Sequence, residues 1–169
     1  MNNTRLIVLR GPSGSGKSSI AKAVRLAELA ENRKIAYVEQ DYFRRIVLKE
    51  KDIVGGFNGK FIKETVMFLL HKGYDVIVEG IFDKGRYQQV FEKLVEIHPS
   101  RNYFFYFDVS FEETLKRHET KPNRHEFGEK EMMGWYKDKD LLDCVDEIII
   151  SEKSDFDETI NTIRNVCKN

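Results

Sequence analysis

The sequence predicts an α/β fold in which five parallel strands form one sheet with helices on both faces. Apolar runs of strand length alternate along the 169 residues with segments whose apolar residues recur every three or four positions. This alternation is the signature of parallel α/β proteins. The run at 76–78 is continuously apolar, as expected for a strand that is covered on both faces. Both observations favour a sheet buried between two layers of helices.

Each predicted strand is short. The first is ended by Gly11 and Pro12, which interrupt regular structure. The fourth is rich in aromatic residues, a residue type that is enriched in strands. The predicted strands cover 6–9, 35–38, 76–78, 103–109 and 148–150.

The segments between the strands have helical period and capping residues. Asn58 is the predicted N-cap of the second helix, and Ser110 and Glu113 form a predicted capping box. Asp155 caps the last helix, which is expected to turn Phe156 inward. The apolar face of the first helix is predicted to comprise Ile20, Ala23, Val24, Ala27 and Ala30. The predicted helices cover 17–30, 58–72, 111–118 and 129–136, with one further helix around 87–95 and another from 156.

Composition and charge exclude several classes of protein. Lys plus Arg and Asp plus Glu both number 28, so the formal net charge is zero, whereas a dedicated nucleic-acid binder carries a basic excess. Hydrophobic residues make up 41%, too many for a disordered chain. No apolar run approaches a membrane span or a signal peptide. Cys144 and Cys167 form no CxxC pair and suit a reducing compartment. We therefore expect one soluble, cytoplasmic domain over residues 1–169, with no membrane partner.

A complete phosphate-binding motif follows the first predicted strand. Residues 11–18 read Gly-Pro-Ser-Gly-Ser-Gly-Lys-Ser and match G-x-x-x-x-G-K-[ST], the P-loop, between a strand and a helix. Small residues let backbone N–H groups curl around phosphate oxygens, and the helix N-terminus attracts the same anion. Lys17 is predicted to contact the β- and γ-phosphates of ATP, and the Ser18 hydroxyl to ligate Mg²⁺. The predicted nucleotide-binding residues are Gly11, Ser13, Gly14, Ser15, Gly16, Lys17, Ser18 and Ser19.

Asp41 and Arg44 follow the second predicted strand. Ligands of doubly wound sheets bind beyond the carboxyl ends of the strands, so Asp41 is expected at the cleft. A carboxylate there can accept the proton of an attacking hydroxyl, as the general base does in phosphoryl transfer. Arg44 shares a helical face with Asp41 and can hold a polar or anionic acceptor. The alternative is that Asp41 only caps a helix that begins at Tyr42.

Glu79 follows the third predicted strand, where P-loop proteins keep an acid for the metal. It is a candidate to hold a Mg²⁺-bound water or to orient the acceptor. Gly80, directly after it, is expected to leave room for a ligand. A charged residue that simply ends a strand is the alternative.

The chain resembles the P-loop kinases of the nucleotide-kinase-like group. Three features carry the resemblance: the P-loop, a strand that ends in an acid, and a charged insert before the last strand. Gluconate and shikimate kinases have a similar layout. The D-x-x-R pattern of Asp41 and Arg44 resembles that of zeta-toxin kinases, chloramphenicol phosphotransferase and polynucleotide kinase. Segments 78–81, 112–122 and 126–128 resemble a bacterial group of kinases whose substrate is not known. The resemblance implies the strand order 2-3-1-4-5 and makes Asp41 the general base.

The resemblance also implies a lid that bears arginine, between the fourth and fifth strands. Here the lid covers about 118–139, and Arg117 and Arg124 lie at suitable positions, with Lys121 adding further charge. Such a lid closes over the phosphates, excludes water and supplies charge to the transferring group. The segment is also rich in Glu and Lys, so a solvated charged face is the alternative for both arginines.

The combined prediction is an ATP- and Mg²⁺-dependent phosphotransferase that acts on a hydroxyl of a small molecule. Nucleosides, nucleotides, sugars, nucleotide sugars and hydroxylated antibiotics remain candidate acceptors. A polynucleotide 5′-hydroxyl kinase is an alternative that the zero net charge disfavours, and an ATPase or nucleotide switch without an acceptor is another. The predicted catalytic residues are Lys17, Asp41, Arg117 and Arg124, the acceptor contacts Asp41, Arg44 and Glu79, and the metal-binding residues Ser18 and Glu79.

Overall fold

The computed structural model describes residues 3–120, 122 and 124–168, so Lys121 of the predicted lid lies outside the described residues. The strands are β1 (Leu6–Arg10), β2 (Ile35–Glu39), β3 (Asp75–Gly80), β4 (Asn102–Asp108) and β5 (Ile148–Ser151). A π-helical segment, Tyr42–Leu48, follows β2. The α-helices are α1 (Lys17–Ala30), α2 (Phe57–His71), α3 (Lys84–Ile97), α4 (Phe111–Glu119), α5 (Glu129–Trp135) and α6 (Phe156–Lys168).

The strands form a parallel sheet in the order β2-β3-β1-β4-β5, so the predicted fold class and strand order are confirmed. The central strand β1 pairs with β3 and β4, and Val8 lies beside Val78 and Phe104. Because all carboxyl ends of these strands lie at one edge, the loops after β1, β2 and β3 meet there. That edge carries the P-loop, Asp41 and Glu79.

Two hydrophobic cores cover the two faces of the sheet. Leu6 and Val8 of β1 belong to one core, while Ile7 and Leu9 belong to the other, because successive side chains of a strand point to opposite faces. Helices α2 and α3 complete the first core, and α1 and α6 complete the second. No helix in the described part of the chain is long and apolar enough to cross a bilayer.

Four helix predictions need correction. Asn58 lies inside α2 rather than at its N-cap: Gly56 occupies that position, and Asn58 Nδ2 donates to Tyr87 Oη at 2.8 Å. Phe156 is 51% exposed at the first position of α6, whose buried residues are Thr159, Ile163 and Cys167. The buried positions of α1 are Lys17, Ile20, Ala21, Val24 and Glu28, so Ala30 does not reach the core. Ser110 and Asp155 are confirmed as N-caps, but the capping box predicted with Glu113 is incomplete, because the Ser110 N–H donates to Glu152 Oε2.

A buried ion-pair cluster fastens the amino-terminal edge of the sheet. Arg5, 1% exposed, donates to Asp75 at 2.7 Å and also to Glu28. Burial acts to lower the pKa of Arg5, but its hydrogen bonds to Asp75 and Glu28 outweigh that effect and raise it. Burial likewise acts to raise the pKa of Glu28, yet the bond from Arg5 lowers it. Every charge of this cluster therefore has an opposite partner.

Candidate active site

The P-loop closes tightly over β4 and α4, and glycine is required where it does so. Gly11 has φ +139° and Gly14 has φ +84°, both in a region that other residues rarely adopt. A Cβ on Gly11 would lie 2.7 Å from the Phe107 carbonyl oxygen, and one on Gly14 would lie 2.7 Å from that of Thr114. The motif is therefore shaped by its packing as well as by its ligand.

Lys17 lies at the first position of α1, where the helix follows the loop. Its Nζ donates to Pro12 O at 2.7 Å and to Ser15 Oγ at 3.2 Å, and the residue is 6% exposed. The ammonium group thus lies across the concave side of the loop, where it can meet phosphate oxygens.

An acidic pair with two hydroxyl groups lies beside the loop. Glu79 of β3 is directly opposite Glu39 of β2 in the parallel register. Ser18 Oγ donates to Glu79 Oε1 at 2.9 Å, and Tyr37 Oη lies 3.0 Å from Glu79 Oε1 and 3.2 Å from Glu39 Oε2. Burial raises the pKa of Glu79, although Lys17 and the bond from Ser18 act to lower it. Burial and the two carboxylates also raise the pKa of Tyr37.

The donors of this cluster fit Mg²⁺, which prefers hydroxyl, carboxylate and water oxygens. The Ser18 hydroxyl and the Glu79 carboxylate lie side by side and both face one cavity with Lys17. Burial is the main cause of the raised pKa of Glu79, and a cation beside it would favour its charged form. Ser18 and Glu79 thus offer donors suited to Mg²⁺, and their role as metal-binding residues stays a prediction.

Two adjoining cavities define the site. The P-loop cavity, of about 160 Å³, is lined by residues that include Gly14, Lys17, Ser18, Glu39 and Glu79. The cleft cavity, of about 400 Å³, is lined by residues that include Gln40, Arg44, Lys51, Asp52, Arg86 and Trp135. The two share a boundary formed by Ser13, Asp41, Arg45, Ile81 and Phe127.

Asp41 and Arg44 lie at the entrance to the cleft cavity. Arg44 Nη2 donates to Asp41 Oδ1 at 2.9 Å, so the common face predicted for them is present. The Asp41 side chain makes no capping bond to the π-helical segment, which removes the alternative that it serves only as a cap. Its carboxylate is half exposed and borders both cavities.

Arg117 and Arg124 have different surroundings. The Arg117 guanidinium donates to Glu113 Oε1 at 2.7 Å, to Ser15 O at 3.1 Å and to Glu152 O at 2.8 Å. It thereby links α4, the P-loop and the turn after β5. Arg124 is exposed, and its carbonyl oxygen lies 3.3 Å from Nε2 of His118. Neither arginine is among the described residues that line the P-loop cavity or the cleft cavity.

No family model and no curated protein sequence matches the chain, but solved structures do. The protein APE1195 aligns over 99% of this chain and 96% of its own, with a TM-score of 0.77 and 17% identity. An APS kinase from Mycobacterium tuberculosis, in complex with AMPPNP and APS, covers 100% of both chains with a TM-score of 0.73 and 16% identity. A sugar kinase from a Janibacter species aligns over 96% of this chain and 93% of its own, with a TM-score of 0.68 and 19% identity. The fold is that of the P-loop kinases.

Gly80, at the end of β3, does not have the role predicted for it. A Cβ at Gly80 would lie 2.3 Å from Gln40 Oε1 and 2.9 Å from the ring of Phe82. The space is therefore filled by the protein's own side chains and not kept open for a ligand. Gln40 Oε1 in turn accepts the Phe82 N–H at 3.2 Å, which fixes the turn after β3.

Sequence reasoning missed three residues of this edge. Tyr37 and Glu39 lie on one face of β2, and buried Val38 between them lies on the other face. This alternation of side chains along the strand could have identified both residues from the sequence. Arg45 gave no such signal, because a π-helical turn and not an α-helical one decides which way it faces.

Arg10 was missed as well. It is fully buried at the end of β1, donating to Phe82 O at 2.9 Å, to Asp140 Oδ2 at 3.0 Å and to Glu147 Oε2 at 2.7 Å. Asp140 also accepts the Lys84 N–H at 2.7 Å. Arg10 thus anchors the segment that returns from the lid to β5, beside the start of α3.

Proposed function

We propose that the protein is an ATP- and Mg²⁺-dependent kinase that transfers the γ-phosphoryl group to a hydroxyl of a small molecule. The observation that carries the proposal is the junction of the two cavities: one is lined by Lys17 and Ser18, the other has several charged residues in its lining, and Asp41 lines both. An APS kinase and a sugar kinase of the same fold act on small molecules by name, which supports this class of acceptor.

On the nucleotide side, residues 11–19 cradle the phosphates of ATP. Backbone N–H groups of the loop and the Lys17 ammonium neutralise their charge. Ser18, by its hydroxyl, and Glu79, by its carboxylate through a water, would hold Mg²⁺. The metal supplies positive charge to the phosphate oxygens.

On the acceptor side, Asp41 accepts the proton of the attacking hydroxyl. The bond to Arg44 fixes the carboxylate so that one oxygen remains available to the acceptor. Arg44 also offers the acceptor a cation at the wall of the cleft cavity. The contribution predicted for Arg117 and Arg124, charge donated to the transferring group, stays a prediction.

The lining of the cleft cavity indicates which small molecules suit it. Arg44, Lys51 and Arg86 provide cations, and the 40%-exposed Trp135 provides an indole surface. A second cavity of about 380 Å³ shares Lys51, Asp52 and Arg86 with it, so an acceptor longer than a single sugar ring can extend there. A ring-bearing polar metabolite such as a nucleotide or an acidic sugar fits this chemistry.

The test measures ADP release from MgATP with and without pooled hydroxyl metabolites. We expect the pool to accelerate wild type, and Asp41→Asn to lose about 10²-fold or more of that acceleration, the usual contribution of a general base. Asp157→Asn, an exposed acid at the start of α6, is the matched control and should behave as wild type. If no pool accelerates wild type while hydrolysis persists, the small-molecule kinase is contradicted. Acceleration by oligonucleotides alone would support the polynucleotide kinase instead.

A further inference from the structure

Arg45 is the arginine that borders both cavities of the site. The described lining of the P-loop cavity contains two cations, Lys17 and Arg45, and Arg45 also lines the cleft cavity. Arg44, its neighbour in sequence, lines the cleft cavity but is not among the residues described around the P-loop cavity. Arg45 therefore occupies the boundary at which the contents of the two cavities meet.

Phosphoryl transfer places its largest charge at that boundary. The transferring group leaves the nucleotide and reaches the acceptor in line, and its three equatorial oxygens carry negative charge throughout. A cation at the junction can meet these oxygens throughout the transfer, in addition to the contact that Lys17 makes from the nucleotide side. Asp41 and Arg45 are the charged side chains that share this position.

The lid arginines are occupied elsewhere. All three nitrogen atoms of the Arg117 guanidinium donate to Glu113, Ser15 O or Glu152 O at 2.7 to 3.1 Å. Moving Arg117 to the junction would break the bonds that link α4 to the P-loop and to the turn after β5. Arg45 has no comparable restraint.

The partner of Arg45 is a residue of the lid. Arg45 Nη2 lies 3.7 Å from Glu126 Oε2, and the two side chains are 44% and 52% exposed. Such an exposed, long ion pair contributes little free energy, so a phosphate oxygen can replace the carboxylate readily. The pair also connects the π-helical segment to the lid across the mouth of the site.

We propose that Arg45 stabilises the transferring phosphoryl group, and that Glu126 holds Arg45 until the nucleotide binds. The inference rests on the proposed function and names a further catalytic residue for it. The bond between the γ-phosphorus and the bridging oxygen of ADP breaks, the acceptor oxygen bonds to that phosphorus, and the acceptor proton passes to Asp41. Arg45 donates N–H bonds to the γ-oxygens and forms no covalent bond.

The first experiment compares Arg45→Gln with Arg33→Gln. Arg33 is also 44% exposed and paired to a carboxylate at 3.4 Å, but it lies at the opposite edge of the sheet. For Arg45→Gln we expect acceptor-stimulated ADP release to fall by about 10³-fold, the lower end of the effect of a transition-state arginine. The dissociation constant of ADP should not change, and Arg33→Gln should match wild type. Undiminished turnover in Arg45→Gln, with wild type active, overturns the role of Arg45 and leaves the kinase standing.

A binding measurement separates this inference from the proposed function. Wild type should bind AMPPNP more tightly than ADP, because only AMPPNP offers a γ-phosphate, and Arg45→Gln should reduce that preference to the part that Lys17 supplies. The preference needs no acceptor, so it tests Arg45 even if no substrate is phosphorylated. Equal affinity of wild type for both nucleotides, or an undiminished preference in Arg45→Gln, overturns the inference.

Glu126→Gln tests the holding role. Without the carboxylate, AMPPNP has no competitor for Arg45, so its affinity should rise while that of ADP stays the same. An unchanged AMPPNP affinity in Glu126→Gln overturns the role of Glu126.

Discussion

The two edges of the sheet bury similar side chains and differ in how the charges are matched. At the amino-terminal edge, Arg5 lies between Asp75 and Glu28, and the pKa of Glu28 is lowered by that arginine although burial acts to raise it. At the carboxyl-terminal edge, Glu79 lies beside Glu39, and burial raises the pKa of Glu79. The first cluster is complete in itself. In the second, two carboxylates are neighbours in the sheet, an arrangement that a bound cation would stabilise.

Burial of a charge does not by itself mark a functional site. Arg5 and Glu79 are both almost inaccessible, but only Glu79 opens onto a cavity, together with Lys17 and Ser18. The amino-terminal cluster should therefore control stability, and the carboxyl-terminal cluster should control ligand binding. Substitutions in each can break this division.

The largest effect is expected from Arg5→Met. The change leaves the carboxylates of Glu28 and Asp75 buried without their main partner, which should lower the free energy of unfolding by about 3–5 kcal/mol. Urea denaturation followed by circular dichroism measures this loss. Nucleotide affinity of the folded fraction should be unchanged, and Arg33→Met, at a half-exposed arginine of the same cluster, should cost much less. A loss of stability no greater than that of Arg33→Met would contradict the assignment.

The next effect is expected from Glu79→Gln. In this variant the affinity of the protein for Mn²⁺, measured in the presence of ADP, should fall by about 10–100-fold. This is the usual effect of removing a residue that supports a bound metal through a second layer of contacts. Mn²⁺ serves as a spectroscopic probe in place of Mg²⁺. The free energy of unfolding should not fall, because the neutral amide is easier to bury than a carboxylate with a raised pKa. Glu96→Gln, at an exposed position of α3, is the control. Unaltered Mn²⁺ affinity in Glu79→Gln would remove the metal site from this edge.

The smallest effect is a change in the pH dependence of stability. The folded protein lowers the pKa of Glu28 below its ordinary value of 4.5. The stabilising contribution of Glu28 is therefore fully present at pH values above 4.5, and it is lost as the pH falls through the lowered pKa. Urea denaturation at a series of acidic pH values should therefore show a shallower decline for Glu28→Gln than for wild type. Parallel declines would mean that Glu28 does not contribute to acid sensitivity.

Much of the fold and part of the site were predictable from the sequence. The apolar runs locate all five strands of the described chain to within two residues at each end, and the P-loop motif places Lys17 and Ser18 where the structure has them. The spacing of Asp41 and Arg44 predicted that they share one face, and on that face Arg44 donates to Asp41. These features depend on local pattern, which a single sequence contains.

The remainder depends on tertiary packing that no local pattern records. Gly80 was expected to make room for a ligand, but Gln40, which directly follows the neighbouring strand β2, fills that space. Asn58 looked like a cap and instead bonds to Tyr87 of another helix. Arg45 reaches the junction of the cavities because the segment after β2 is π-helical. In each case a contact distant in sequence, or an unusual backbone turn, decides where the side chain lies.

Transfer of labelled γ-phosphate tests whether Asp41 lies between a phosphate donor and a hydroxyl acceptor. Wild type and Asp41→Asn are incubated with γ-labelled MgATP and pooled hydroxyl metabolites, and the products are separated by charge. We expect a labelled organic phosphate with wild type and little or none with Asp41→Asn, while both proteins bind ADP equally. Label found only in inorganic phosphate, or equal transfer by both variants, would contradict it.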